Sequence, residues 1–160
     1  VAADAGSTTP AGAAAPKTEP KGYYALITAG DKLMQRGRAR DAIKLYEKAL
    51  VEQPSGVEAL NGLAYAYFDT ERYGAAIDTF RKVLSMVPNN GDALIGVGEV
   101  YKMRGDRQKA LDSYQKYLAE FPGGSKAIMA KQNIAELKAQ LERDKDRPSA
   151  TEIKDAPPLP

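Results

Sequence analysis

Between residues 57 and 90, apolar side chains recur at spacings of three and four. Leu60, Leu63, Ala64, Tyr67 and Phe68 form one such run, and Ala76, Ile77, Phe80, Val83 and Leu84 form a second. This spacing places each set on one face of an α-helix, which turns once in about 3.6 residues. Residues 69–72 separate the runs and are polar at all four places, so the stretch predicts two helices joined by a short turn.

The arrangement is periodic. Pro54, Pro88 and Pro122 stand 34 residues apart, and aligning 23–56, 57–90 and 91–124 without a gap brings further columns together. Leu26, Leu60 and Leu94 coincide, as do Gly30, Ala64 and Gly98, then Ala42, Ala76 and Ala110, then Tyr46, Phe80 and Tyr114. Gly or Ala in the second column, facing Ala in the third, lets the two helices of a hairpin approach closely while larger side chains fill the grooves. Each proline ends a second helix, because it lacks an N–H and restricts the residue before it. Gly37 and Gly105 suit the left-handed residue that closes a helix, and Asp106 is expected to cap the next one through its side chain. Glu71 holds the place of those glycines, which predicts that the second turn closes differently. Ser55-Gly56, Asn89-Asn90 and Gly123-Gly124 supply turn and cap chemistry. Ser125 is the predicted cap of a seventh helix over about 126–145, with Ile128, Ile134, Leu137 and Leu141 on one stripe.

These columns resemble the tetratricopeptide repeat, a helix–turn–helix unit of 34 residues. The resemblance implies an all-α fold: a right-handed superhelical solenoid of three repeats (23–56, 57–90, 91–124) closed by one solvating helix (125–145). It departs from the family pattern where Leu26, Leu60 and Leu94 replace the first aromatic, and at Tyr117, a large ring where a small residue is expected. No cap precedes Tyr23, so the first helix, with Tyr23, Tyr24, Leu26 and Ile27, is expected to expose an apolar face.

In this family the first helix of each pair lines a concave groove. Carried over by position, the groove would take Tyr24, Ile27, Thr28, Asp31 and Gln35 from the first unit, and Glu58, Asn61, Gly62, Tyr65 and Asp69 from the second. The third would give Asp92, Ile95, Gly96, Glu99, Lys102 and Met103, and the closing helix Lys126, Met129 and Asn133. Asp31, Glu58, Asp69, Asp92 and Glu99 outnumber Lys102 and Lys126, favouring a peptide with basic and apolar side chains. Some family members grip a C-terminal carboxylate with basic residues on these helices. The matching positions are Ile27, Asp31, Gly62, Asp92 and Gly96, none of them basic, which disfavours such a ligand. Gly62 and Gly96 either open pockets for a ligand side chain or permit closer packing of successive helices.

Composition narrows the function classes. The chain of 160 residues holds 23 Lys plus Arg against 21 Asp plus Glu, a net charge of +2, and neither Cys, His nor Trp. Disulfides, Cys/His metal sites, Ser-His-Asp or Cys-His triads and a histidine proton shuttle are excluded. Near-balanced charge implies neither a nucleic-acid groove nor an anionic membrane surface. The remaining seven of ten prolines lie in 1–22 and 146–160, which read as a flexible Ala/Pro-rich linker and a disordered Pro-rich tail and suggest a piece of a longer protein. Arg104-Gly105-Asp106 falls in a hairpin turn, and the Gly-rich stretches at 96–98 and 123–126 lack the strand that a nucleotide loop needs. Pairs such as Asp78 with Arg81 and Lys82, and Asp112 with Lys116, are read as solvated helix support. The expectation is a non-enzymatic protein-interaction scaffold without metal or cofactor. Its partner would be a protein or peptide rather than nucleic acid, without direct membrane insertion. A monomer is favoured, and the alternative is a structural module that assembles through its first helix. The composition is compatible with a bacterial cytoplasm or cell envelope.

Overall fold

The computed structural model describes residues 22–145; the expected linker and tail lie outside them, apart from Gly22. Seven helices follow one another: α1 (Tyr23–Gln35), α2 (Ala39–Glu52), α3 (Val57–Asp69), α4 (Tyr73–Met86), α5 (Gly91–Met103), α6 (Arg107–Glu120) and α7 (Ala127–Lys145). No strand occurs among the described residues. The helices pack as three hairpins, α1/α2, α3/α4 and α5/α6, with α7 against α6. Each hairpin also packs on the next through α2·α3 and α4·α5. The first helices touch in series, α1 on α3 and α3 on α5, whereas α2, α4 and α6 form no comparable series. This asymmetry curves the stack into a right-handed superhelix with the first helices on its inner face.

A ring between small residues holds each junction. Tyr46 of α2 is 1 % exposed and lies between Gly30 of its own hairpin and Gly62 of the next. A Cβ built on Gly30 would stand 2.8 Å from Tyr46 Cε1, and one on Gly62 would stand 2.5 Å from the same atom. Phe80 fills the equivalent place against Gly96, where a Cβ would meet its Cζ at 2.2 Å, and Tyr114 lies against Gly98. Gly62 and Gly96 therefore open no pocket. The preceding hairpin's second helix supplies the ring that occupies the space.

The three turns are closed alike. Gly37 (φ 69°), Glu71 (φ 60°) and Gly105 (φ 79°) all take the left-handed conformation. In each turn that residue's N–H donates three residues back, to Met34, Phe68 or Lys102, and the following N–H donates to Leu33, Tyr67 or Tyr101. Glu71 adopts the glycine geometry rather than a different closure, because two hydrogen bonds and the packed helices on either side outweigh its steric cost. The Asp106 side chain does not cap α6; it stands 3.8 Å from Arg104 Nε. Asn90 does cap α5, accepting from the Ala93 N–H at 2.9 Å.

Both ends also depart from expectation. Tyr23, Leu26 and Ile27 are buried, and the Tyr23 hydroxyl donates to Glu58 Oε2 at 3.1 Å; only Tyr24, 71 % exposed, stands clear. The α1 face needs no preceding cap, because α2 and α3 cover it. Tyr117 is buried, and its hydroxyl accepts from the Lys126 N–H at 3.2 Å, holding the entry to α7. That bond stands at the start of α7, where Ser125 was the expected cap. Arg81 donates to the Tyr101 hydroxyl and Lys82 reaches Pro54 O, while Asp112 accepts from Gln108, in place of the expected pairs along the helices.

Replacing Gly96 with Ala forces the buried Phe80 ring aside and is expected to cost about 1–3 kcal/mol. Gly74→Ala meets nothing within 4 Å on α4 and is expected to stabilise by about 0.4–1 kcal/mol. Urea denaturation of both variants checks the contrast. Glu71→Gly relieves a left-handed non-glycine residue, with an expected gain of about 0.5–1 kcal/mol in the same assay.

Candidate functional site

The inner face is built from α1, α3, α5 and α7, and polar bonds tie each of these helices to the next. Tyr65 donates its hydroxyl to the Asp92 carbonyl at 3.0 Å, linking α3 to α5. Lys126 of α7 returns to Asp92 Oδ1 at 3.1 Å, and its ammonium lies 5.5 Å from the centre of the Tyr65 ring. Further along, Lys102 Nζ donates to Asn133 Oδ1 at 2.7 Å and Glu136 Oε2 at 2.6 Å. Both inner-face lysines are thus already engaged. Met129 lies beside this link, its sulfur accepting from Asn133 Nδ2.

The expected groove residues divide into those that reach the surface and those that do not. Ile27 and Ile95 are buried, Ile95 completely, and Gly96 is buried beneath Phe80. Together with Gly62, covered by Tyr46, they are corrected from ligand-facing to packing positions. Asp31 accepts from the Tyr46 hydroxyl at 2.6 Å and Glu58 from the Tyr23 hydroxyl, so these two exposed carboxylates are held in place by buried rings. Asn61 donates from Nδ2 to Asn90 Oδ1 at 3.2 Å, while its own Oδ1 is buried with no donor. Thr28 bonds back to the Tyr24 carbonyl. Gln35, Asp69, Asp92 and Met103 are exposed, and Tyr65, Glu99, Lys102 and Lys126 are half-buried.

Electrostatics single out the segment where α3, α5 and α7 meet. Burial pushes the Glu99 carboxyl above the usual carboxylate range; the Lys126 ammonium pulls it down in part and the Asp69 carboxylate adds to the rise. Asp69 is raised as well, by burial. Burial, then the charge of Glu99, holds the Tyr65 and Tyr114 hydroxyls far above their ordinary range. Glu136 goes the other way, lowered by its hydrogen bond from Lys102. The result is a partly desolvated, acid-rich patch offering acceptors. Among the described residues no group of three or more carboxylates is arranged to hold a metal ion, and no helix is long and apolar enough to cross a membrane.

Three contributors escaped the sequence reading as inner-face residues: Tyr114, counted only as a packing column, Asn90, read as turn and cap chemistry, and Glu136, given no role. The repeat carried the signal for Tyr114. Moving Asp31 and Tyr46 forward by two units of 34 gives Glu99 and Tyr114.

A carboxyl whose folded pKa is raised contributes stability that is present below the unfolded pKa and lost as pH rises through the folded one. Glu99→Gln removes that loss. The variant is expected to match the natural protein near pH 4 and exceed it in urea midpoint near pH 7. An equal difference at both pH values would contradict the burial account.

The tetratricopeptide repeat sequence profile matches residues 27–91 and 70–125. No curated protein sequence matches the chain. Among solved structures, the tetratricopeptide domain of Sgt2 from Aspergillus fumigatus is 25% identical, with a TM-score of 0.71 over 84% of this chain and 90% of that one. The first such domain of Spaghetti (RPAP3), bound to an HSP90 peptide, is 18% identical, with a TM-score of 0.70 over 78% and 96%. The type III secretion translocator chaperone SycD of Yersinia enterocolitica is 14% identical, with a TM-score of 0.71 over 75% and 94%. With its repeats matched by the profile and its hairpins stacked as in these folds, the chain belongs to the tetratricopeptide repeat family.

Proposed function

We propose that the chain is a non-enzymatic interaction scaffold whose inner face binds an extended peptide or protein segment carrying basic and apolar side chains. One observation carries this reading. Asp31, Glu58, Asp69, Asp92 and Glu99 share the inner face with two lysines, both spent on internal partners. The face therefore keeps a surplus of negative charge although the chain as a whole is slightly basic. Complementary potential of this kind steers a cationic segment into place and selects against acidic ones. Exposed Tyr24 and Met103 add apolar contact along the same face.

The similarly folded domain of RPAP3 holds an HSP90 peptide, which supports peptide capture as the mode. The chemistry here favours a different ligand. The positions that would grip a terminal carboxylate hold Ile27, Asp31, Gly62, Asp92 and Gly96, and the structure leaves only aspartates exposed there. Assembly through α1 has less to support it, since Tyr23, Leu26 and Ile27 are already covered within the chain.

A short fluorescein-labelled peptide alternating arginine and leucine tests the reading by anisotropy. Binding is expected to weaken with salt and to fall about tenfold in the double variant Glu58→Lys, Asp92→Lys, while an alternating glutamate–leucine peptide stays unbound. Affinity indifferent to both salt and variant would remove the groove.

A further inference from the structure

The closing helix shows how this fold holds a cation. The Lys126 ammonium lies 3.1 Å from Asp92 Oδ1 and over the Tyr65 ring, 5.5 Å from its centre. A carboxylate and a tyrosine face together take one positive charge. The ring attracts the cation through its quadrupole, and the carboxylate supplies opposite charge and a hydrogen-bond acceptor.

At the other end of the inner face the same two kinds of group stand together without a cation. Tyr24, Glu58, Asp92 and Lys126 follow one another at 34-residue intervals and form one column along that face. Its second half closes on itself, Asp92 with Lys126. Its first half is joined through a single buried side chain. The Tyr23 ring packs at 78° against the Tyr24 ring with 5.0 Å between centres, and the Tyr23 hydroxyl donates to Glu58 Oε2 at 3.1 Å while accepting from the Ala59 N–H at 3.4 Å. Gly56 leaves just the room that this hydroxyl needs, since a Cβ there would strike it. Tyr23 is thereby fixed, and it fixes the carboxylate at one end and the second ring at the other. Both groups stay open to solvent: Tyr24 is 71 % exposed and Glu58 is exposed as well. Among the described residues the one hydrogen bond that Glu58 accepts comes from a neutral hydroxyl, which leaves its charge uncompensated.

We propose that Tyr24 and Glu58 form a receptor for one lysine side chain of the bound segment, held as Tyr65 and Asp92 hold Lys126. The assignment rests on the groove reading above and gives it a register. A lysine's compact ammonium donates to the carboxylate while its four-carbon stem lies along the exposed ring. The basic side chain enters over α1 and α3. The far end, where Lys126 and Lys102 already neutralise Asp92 and Glu136, receives an uncharged part of the segment beside exposed Met103.

Amide-shift titration with N-acetyl-lysinamide tests the receptor, with N-acetyl-norleucinamide, which keeps the stem and lacks the charge, as the comparison. Saturable shifts are expected at Tyr23, Tyr24, Glu58 and Ala59 with lysinamide alone. Glu58→Gln keeps an acceptor for Tyr23, and Tyr24→Leu changes an exposed side chain, so both variants are expected to fold. Each is expected to weaken lysinamide binding about two- to fivefold, while Tyr24→Phe, which keeps a ring face, retains most of it. Equal shifts from norleucinamide, or an affinity unmoved by Glu58→Gln or by Tyr24→Leu, overturn the receptor. Shifts centred on Asp31, Asp69 or Asp92 overturn it too, while leaving the acidic inner face standing. The absence of any response to lysinamide also overturns it, and failure of the arginine–leucine peptide as well removes both readings.

Discussion

Everything in this fold depends on one steric arrangement, an aromatic ring from a second helix seated where small residues of two successive first helices leave room for it. Tyr46 is the clearest case, bounded by Gly30 behind and Gly62 ahead. Phe80 and Tyr114 repeat it, and Ala130, one unit beyond Gly96, is fully buried in the same cluster as both rings. Burying such a ring contributes about 1.5–3 kcal/mol, and helices so spaced bring the flanking leucines into contact as well. One ring thus joins two hairpins. The stack propagates because the next hairpin offers the same gap.

The same arrangement shapes the inner face. Rings entering from behind fill the space beneath the first helices, which removes Gly96 and Ile95 from the surface and leaves the longer polar side chains to meet solvent. Two of the rings carry hydroxyls. The Tyr46 hydroxyl steadies Asp31 from below, whereas the Tyr114 hydroxyl reaches the equivalent position and finds no bond.

Much of this was legible from residue spacing. Three prolines 34 residues apart, with leucine, small-residue and aromatic columns in register, located all six hairpin helices, because helical period and proline chemistry act locally. Glu71 shows where local reasoning failed. Its identity argued against a left-handed turn, yet the two hydrogen bonds closing that turn come from a hairpin already held together by its neighbours. Tyr23, Leu26 and Ile27 show the same limit at the first helix. Their apolar pattern was plain, but their coverage depends on how α2 and α3 lie across them.

The sequence by itself determined the repeat, the all-α architecture and the excess of acid on one helical face, since periodicity and charge are properties of the chain. Only the tertiary structure decided which of those acids are paired. Asp31 and Glu99 are equivalent in the repeat and alike in charge. Their difference arises from where a buried hydroxyl ends relative to a carboxylate, and from which lysine on another helix has already been taken. Distances of a few ångströms between elements remote in sequence set that outcome, and they exist only once the hairpins have stacked.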